Sequence, residues 1–369
     1  MDRRSFLSVS GGALLFNGSA ALAQGAGAPV PKLAWHDVKE WGVEGRGWND
    51  TARFYDRFPS RAQKSIPPGV WNLSRHSAGM LVRFETDSPV IHARYSLLNA
   101  TLALPHMPAT GVSGLDLYGR DRQGKDRWLG ITRPAARDVD QQIAGDIDRT
   151  GTPRLYTLYL PLYNGVDRLE IGVDAGARFD PVAPRLHRPI VFYGTSIMHG
   201  ACASRTGMAI PAIVGRRLKR PTINLGFSGS GRMEASVGAL LAELQPSAYA
   251  IDCLPNMTPE LVAERTEPLI RQLREARPDV AILMVEDRTF TNARFRQSTR
   301  SAHEQRRANF RRAYENLVAA GVKRLSYLKG EDLLGDDGEG ATDGSHPNDL
   351  GMVRYADAYE RSLRRIIED

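Results

Sequence analysis

Ser196, Asp343 and His346 are the residues of this chain whose types and spacing could do chemistry. An apolar run over residues 189–193 stops at Gly194 and then presents Thr195 and Ser196. A buried parallel strand reads this way when it delivers a nucleophile to the carboxyl edge of a sheet. A serine hydroxyl is a weak nucleophile until a histidine takes its proton, and the histidine needs a carboxylate to hold its tautomer. Asp343-Gly344-Ser345-His346 can set both partners on one loop, stiffened by Pro347. The set points to a serine hydrolase, although a lone serine after a strand is an ordinary helix cap.

Two kinds of element must position these residues. From about residue 32 to 184 the chain reads as β. Runs at 80–86 and 90–96 alternate apolar and polar residues around the turn Asp87-Ser88-Pro89, and further runs lie at 114–118, 126–131, 154–160 and 168–173. Short strands with no long helical pattern between them predict an antiparallel β-sandwich of jelly-roll type. Past Pro181-Val182-Ala183-Pro184 the pattern changes. Apolar strands at 190–193, 222–225, 248–251, 280–285 and 324–327 alternate with helical patterns at 207–219, 235–244, 259–276, 302–320 and 350–367. That alternation predicts a parallel sheet covered on both faces, with its site at the carboxyl ends of the strands. The expected domains are 32–184 and 187–369.

Each motif falls at one of those ends. Ser196 follows the first strand, Asn224-Leu225-Gly226-Phe227-Ser228-Gly229-Ser230-Gly231 the second, and Asp252-Cys253-Leu254-Pro255-Asn256 the third, while Asp343 and His346 precede the last helix. In this order the blocks resemble the SGNH (GDSL-type) hydrolase superfamily over about residues 189–369. The usual Gly-Asp-Ser stands here as Gly194-Thr195-Ser196, and the usual Gly-x-Asn-Asp as Leu254-Pro255-Asn256-Met257. The resemblance implies a flavodoxin-like three-layer α/β domain and a triad of Ser196, His346 and Asp343. It also implies an oxyanion hole made by the N–H groups of Ser196 and Gly229 and the amide of Asn256. Gly229 fits the second block because Ser-Gly falls there after Asn224, which leaves Gly226 and Gly231 to free the turn.

The β half ahead of such a domain resembles a subgroup of two-domain bacterial acylhydrolases, several of them carbohydrate deacetylases. Gly114-Leu115-Asp116-Leu117-Tyr118 looks like one of that subgroup's stretches. The resemblance implies an esterase that removes short acyl groups, acetyl foremost, from a sugar or polysaccharide. A lipase or thioesterase, a catalytically silent carbohydrate-binding protein and an acyl transferase are the other readings. His199 and Arg205, downstream of Ser196, and Arg288 with Phe290, after the fourth strand, are candidates to face the substrate. Tyr118, Trp128 and Trp71 are candidates to stack on sugar, or else sandwich-core aromatics.

Composition narrows the partners. The 369 residues carry a net charge of +7, but 49 basic residues are interspersed with 42 acidic ones and no nucleic-acid motif accompanies them. The dense cluster Arg216-Arg217-Leu218-Lys219-Arg220 suits a solvated helix end. No His/Cys cluster has ligand spacing, so neither metal nor cofactor is expected. Cys202 and Cys253 could be free thiols or a disulfide. Arg3-Arg4, an apolar stretch over 11–23 and Ala21-Leu22-Ala23 predict a twin-arginine export signal over 1–23. A periplasmic or secreted protein without stable membrane insertion follows.

Overall fold

Side chains in Ile91–Leu97 are alternately buried and half-buried, the period by which a pleated strand gives one face to a core. The computed structural model, which describes residues 32–148 and 151–367, builds this half from β1 (Leu33–Asp37), β2 (Leu81–Thr86), β3 (Ile91–Leu97), β4 (Asp116–Arg120), β5 (Asp126–Ile131), β6 (Asp138–Ala144), β7 (Arg154–Tyr159), β8 (Val166–Asp174) and β9 (Phe179–Val182). Two short helices, α1 (Pro68–Ser74) and α2 (Ala109–Val112), interrupt them. The strands form two sheets, ordered β1-β8-β3-β6 and β5-β4-β7-β2-β9, with antiparallel pairing throughout. Phe84, Tyr95, Tyr156 and Leu169 belong to the core between them.

β1, β6 and β9 were not evident as strands in the sequence, and each lies at a sheet edge. Edges carry the polar residues and prolines that weaken a strand pattern, such as Asp138 and Asp140 in β6 and Pro181 in β9.

The second half is the expected α/β layer structure. β10 (Ile190–Gly194), β11 (Thr222–Gly226), β12 (Ala248–Asp252), β13 (Ala281–Val285) and β14 (Leu325–Leu328) form a parallel sheet in the order β11-β10-β12-β13-β14. The first four are buried along their whole length, as strands covered on both faces must be. Ile190 and Phe192 face one layer, with α3 (Ser196–His199), α4 (Ile210–Leu218) and α8 (Asp349–Ile366). Val191 and Tyr193 face the other, with α5 (Ala235–Glu243), α6 (Pro259–Ala276) and α7 (Gln297–Ala319). The chain leaves β10 for β11 on one side and then crosses to β12 on the other. The carboxyl end of β10 is therefore the topological switch point, where a crevice opens between diverging connections.

The described residues from Leu33 onward form one compact unit, and its packing shows why. Trp48, Phe58, Val70 and Trp71, read with the β half in sequence, join Leu225 and Phe227 in the α/β core. The Phe58 ring lies 5.3 Å from both Trp48 and Phe227. Met107, Leu162 and Tyr163 likewise enter the layer beneath α3. Trp71, offered as a sugar platform, is thus a core residue.

Candidate active site

Ser196 opens α3 directly after β10, where the Thr195 hydroxyl accepts from the N–H of Ile197 at 3.4 Å and Gly200, at φ +117°, ends the turn. Its side chain is almost covered, yet Oγ lies 2.8 Å from Nε2 of His346. Nδ1 of His346 lies 2.8 Å from Oδ2 of Asp343. The other Asp343 oxygen accepts the N–H groups of Ser345 at 3.0 Å and His346 at 2.8 Å. Partial burial raises the Asp343 carboxyl, but these hydrogen bonds outweigh it and hold the group at about 2. An ionised carboxylate on Nδ1 keeps the proton there, which leaves Nε2 free to accept from the serine hydroxyl.

The loop bearing Asp343 and His346 is fastened from several sides. The N–H of Thr342 donates to His346 O at 2.9 Å, and the N–H of Cys202 donates to Pro347 O at 2.9 Å. The Asn348 side chain accepts from Gly351 at the start of α8. Arg288 donates to Ser345 O at 3.1 Å and to the Ser345 hydroxyl, and pairs with buried Asp287. Arg288 was expected to face the cleft; it is only 2 % exposed and braces the loop from behind.

The strand register brings the remaining blocks to the same level, since Gly194 pairs with Gly226 on one side and Asp252 on the other. Gly229 has φ +66° and nothing within 4 Å of where a Cβ would stand, so this face of the loop is open. Asn256 donates its amide to Ser230 O at 2.6 Å, which ties the third block to the second. Gly231 has φ +69° and approaches Gly194 so closely that a Cβ would lie 2.1 Å from its carbonyl oxygen. Gly226 differs from expectation. It has no left-handed φ, but a Cβ there would lie 2.1 Å from the N of His199, so room for α3 rather than turn freedom requires glycine.

Three features of the site are not legible in the sequence. Arg57, buried, donates to Asn224 O at 3.0 Å, Gly226 O at 2.8 Å and Leu73 O at 2.7 Å, tying the end of β11 to α1. Burial lowers its pKa to about 9. His199 was expected at the mouth and is instead fully buried, its ring stacked 4.1 Å from Tyr163 and held by Leu162 O. The histidine that does lie beside the pair is His106, exposed on the loop between β3 and α2, with its ring 6.1 Å from that of His346. Its neighbour Met107 is buried in the layer beneath α3, which anchors the turn. Both cysteines are buried and free.

Comparison with known proteins decides the family. The family model of the GDSL-like Lipase/Acylhydrolase family matches residues 187–364, and that of the N-terminus of Esterase_SGNH_hydro-type matches residues 33–179. A protein named as a GDSL-like lipase, from Bacteroides ovatus ATCC 8483, is 32% identical, with a TM-score of 0.86 over 91% of this chain and 99% of that one. The chain belongs to the GDSL-like lipase/acylhydrolase family. It is an ester-cleaving enzyme of the GDSL/SGNH type. The salicylyl-acyltransferase SsfX3 from a tetracycline biosynthetic pathway is 17% identical, with a TM-score of 0.69 over 92% of this chain and 98% of that one. An acetyl xylan esterase, Est2A, from the rumen bacterium Butyrivibrio proteoclasticus is 11% identical, with a TM-score of 0.54 over 90% and 98%. At such identities these two show a shared fold. No curated protein matches the chain.

In this acylhydrolase the Gly114–Tyr118 stretch joins the two halves. Asp116, fully buried, accepts from Arg205 at 2.8 Å and from the N–H of Gly207 at 2.8 Å, while the Tyr118 hydroxyl accepts from Arg205 at 2.5 Å. Arg205 and Tyr118, both candidates to meet substrate beside Ser196, are thus engaged with each other across the sandwich and the segment leading to α4. Trp128 donates to the other Asp116 oxygen at 2.9 Å and is half exposed. Among the described residues no group of His, Cys, Asp and Glu could hold a metal ion, and no helix is long and apolar enough to cross a membrane. The predicted export signal lies outside the described residues.

Proposed function

We propose that this enzyme is an exported esterase that removes short acyl groups, acetyl foremost, from a carbohydrate, with Ser196, His346 and Asp343 as its triad. The observation that carries the reading is the unbroken relay from Ser196 Oγ through the His346 ring to Asp343, two contacts of 2.8 Å each. Ser196 Oγ attacks the ester carbonyl as Nε2 of His346 takes its proton. The C–O bond to the alcohol then breaks, and His346 returns the proton to the leaving oxygen. Water repeats the sequence on the acyl-serine and releases the acid. The N–H groups of Ser196 and Gly229 and the Asn256 amide receive the oxyanion; the open face of Gly229 and the tether of Asn256 to its loop support this. Carbohydrate as the alcohol is supported by the fold shared with an acetyl xylan esterase and by the exposure of the relay's outer end, where Asp343 is 47% and His346 28% exposed. A polymer can reach such a site.

Hydrolysis of p-nitrophenyl acetate, butyrate and octanoate, followed by acetate release from acetylated xylan, tests the reading. Fastest cleavage of the acetate ester is expected. Preference for octanoate would replace the deacetylase with a lipase.

Asp343→Asn is expected to lower kcat about 10- to 100-fold. The amide no longer fixes the tautomer, but water reaches so exposed a position and softens the loss. Because the folded pKa is depressed, the carboxylate's contribution to stability is present above its ordinary value of 3.8 and lost as pH falls through about 2. Acid unfolding of the Asn variant therefore lacks that part of the transition, and identical acid curves would contradict the pairing. His106→Ala is expected to raise KM for an acetylated oligosaccharide about three- to tenfold with little change in turnover of p-nitrophenyl acetate, since His106 borders the site without entering the relay. An unchanged KM would remove it from the substrate's path.

A further inference from the structure

Away from the relay, positive charge collects where the β4–β5 hairpin meets α4. A cavity of about 590 Å³ there is lined by Lys125, Arg205, Arg216, Arg217 and Lys219, among others. A smaller one, about 150 Å³, continues past Arg216 and Lys219 to Arg83 and Arg185. Asp126 is the one carboxylate among the described residues lining either cavity, and it is taken by Arg120 at 2.9 Å. Asp116, Asp357 and Glu44 take Arg205, Arg217 and Arg185.

Cations are left over. Lys125 and Lys219 are exposed. Neither these two nor Arg83 has an ion-pair partner among the described residues. Arg216 lies 4.2 Å over the Tyr118 ring, and its buried Nη1 has no hydrogen-bond partner among the described residues. Burial first, and then the nearby Arg185 charge, lower the Arg83 pKa, against a smaller upward pull from Glu44 and Asp126. Like charges in a partly desolvated cleft are unfavourable for the protein alone and favour a ligand that brings several oxyanions.

The hairpin's other side indicates what kind of ligand. Trp128, 49% exposed, lines a further hollow of about 330 Å³ with Arg122, Arg127 and Arg154, which shares Arg120 and Gln123 with the first. An indole face is an apolar platform of the size of a sugar ring, and the two larger cavities, of about 590 and 330 Å³, have the volume of small-ligand sites, about 300–1,000 Å³. We infer that this face binds an acidic oligosaccharide, its carboxylate or sulfate groups held by Arg216, Lys125 and Lys219 and a ring placed against Trp128. The saccharide class rests on the carbohydrate reading above; the anion site stands on the charges alone.

Calorimetric titration of the whole protein with trigalacturonate, a sulfated trisaccharide, cellotriose, a trinucleotide and inorganic phosphate tests this. One or both acidic sugars are expected to bind, more weakly as salt rises, and the two arms identify the oxyanion. The double variant Lys125→Glu/Lys219→Glu, changed at exposed positions, is expected to lose about tenfold or more in affinity while hydrolysing p-nitrophenyl acetate at the normal rate; Trp128→Ala is expected to weaken the sugars and leave phosphate unchanged. Equal binding of cellotriose, phosphate or the trinucleotide, or full affinity in the double variant, would overturn the inference. Acidic-sugar binding by a protein that cleaves no ester would instead overturn the esterase reading and leave this one standing.

Discussion

Ser196→Ala yields a normally folded protein whose hydrolysis of p-nitrophenyl acetate falls by about 10⁴-fold or more. Removal of a nucleophile that works as a unit with its base costs nearly as much as removal of the whole relay, and only oxyanion stabilisation and binding remain. Ser196 is 5% exposed and its hydroxyl contacts His346, so the loss of one oxygen leaves the packing of α3 intact. Circular dichroism and the thermal midpoint are therefore expected to match those of the unaltered protein. Retention of more than a few per cent of the activity would remove Ser196 from the mechanism, whatever the geometry of its neighbours.

Arg57→Met is expected to destabilise the fold by about 3 kcal/mol or more and to lower kcat about tenfold. Three carbonyls lose this donor; Leu73 O keeps the N–H of His76 at 3.1 Å, and a buried carbonyl left unsatisfied costs about 1–3 kcal/mol. Relief from burying a cation with no carboxylate partner offsets part of that sum. Its stacking over Phe227, at 4.7 Å, is lost as well. The rate falls because Asn224 and Gly226 lead into the Gly229 loop, so Arg57 acts as a positioning residue. Arg57→Lys keeps the charge but cannot span three acceptors, and its stability and kcat are expected to lie between the two. Denaturant unfolding measures the first effect and single-turnover kinetics the second. A midpoint unmoved by Arg57→Met would contradict the stability argument. Reduced stability with unchanged kcat would make Arg57 a purely structural residue.

The buried parallel strands were legible because their composition is local: β10 to β13 are buried along their whole length and mostly apolar, and α6 begins and ends where its pattern does. The relay was legible for the same reason on a larger scale. Each of its residues stands next to an element whose type can be read from a few neighbours, and a parallel sheet sends every such loop to one edge. The sandwich edge strands β1, β6 and β9 left weaker signals, because polar residues and a proline interrupt their pattern.

His199 and His106 mark the limit. Three residues past Ser196, His199 turns inward because α3 is a single helical turn lying on the core, where stacking with Tyr163 fills its place. His106 sits in a stretch without periodicity, ninety residues before Ser196 in the chain, and reaches His346 because Met107 is buried under α3. Arg57 is reserved for the end of β11 by the packing of Phe58 on Phe227. The sequence by itself determined the order of the parallel strands and their long helices, the chemical identity of the relay and the family to which they belong, because these depend on neighbours along the chain. Only the tertiary structure decided which distant side chains brace or border the site, because burial and close approach are settled by residues far apart in sequence that compete for the same space.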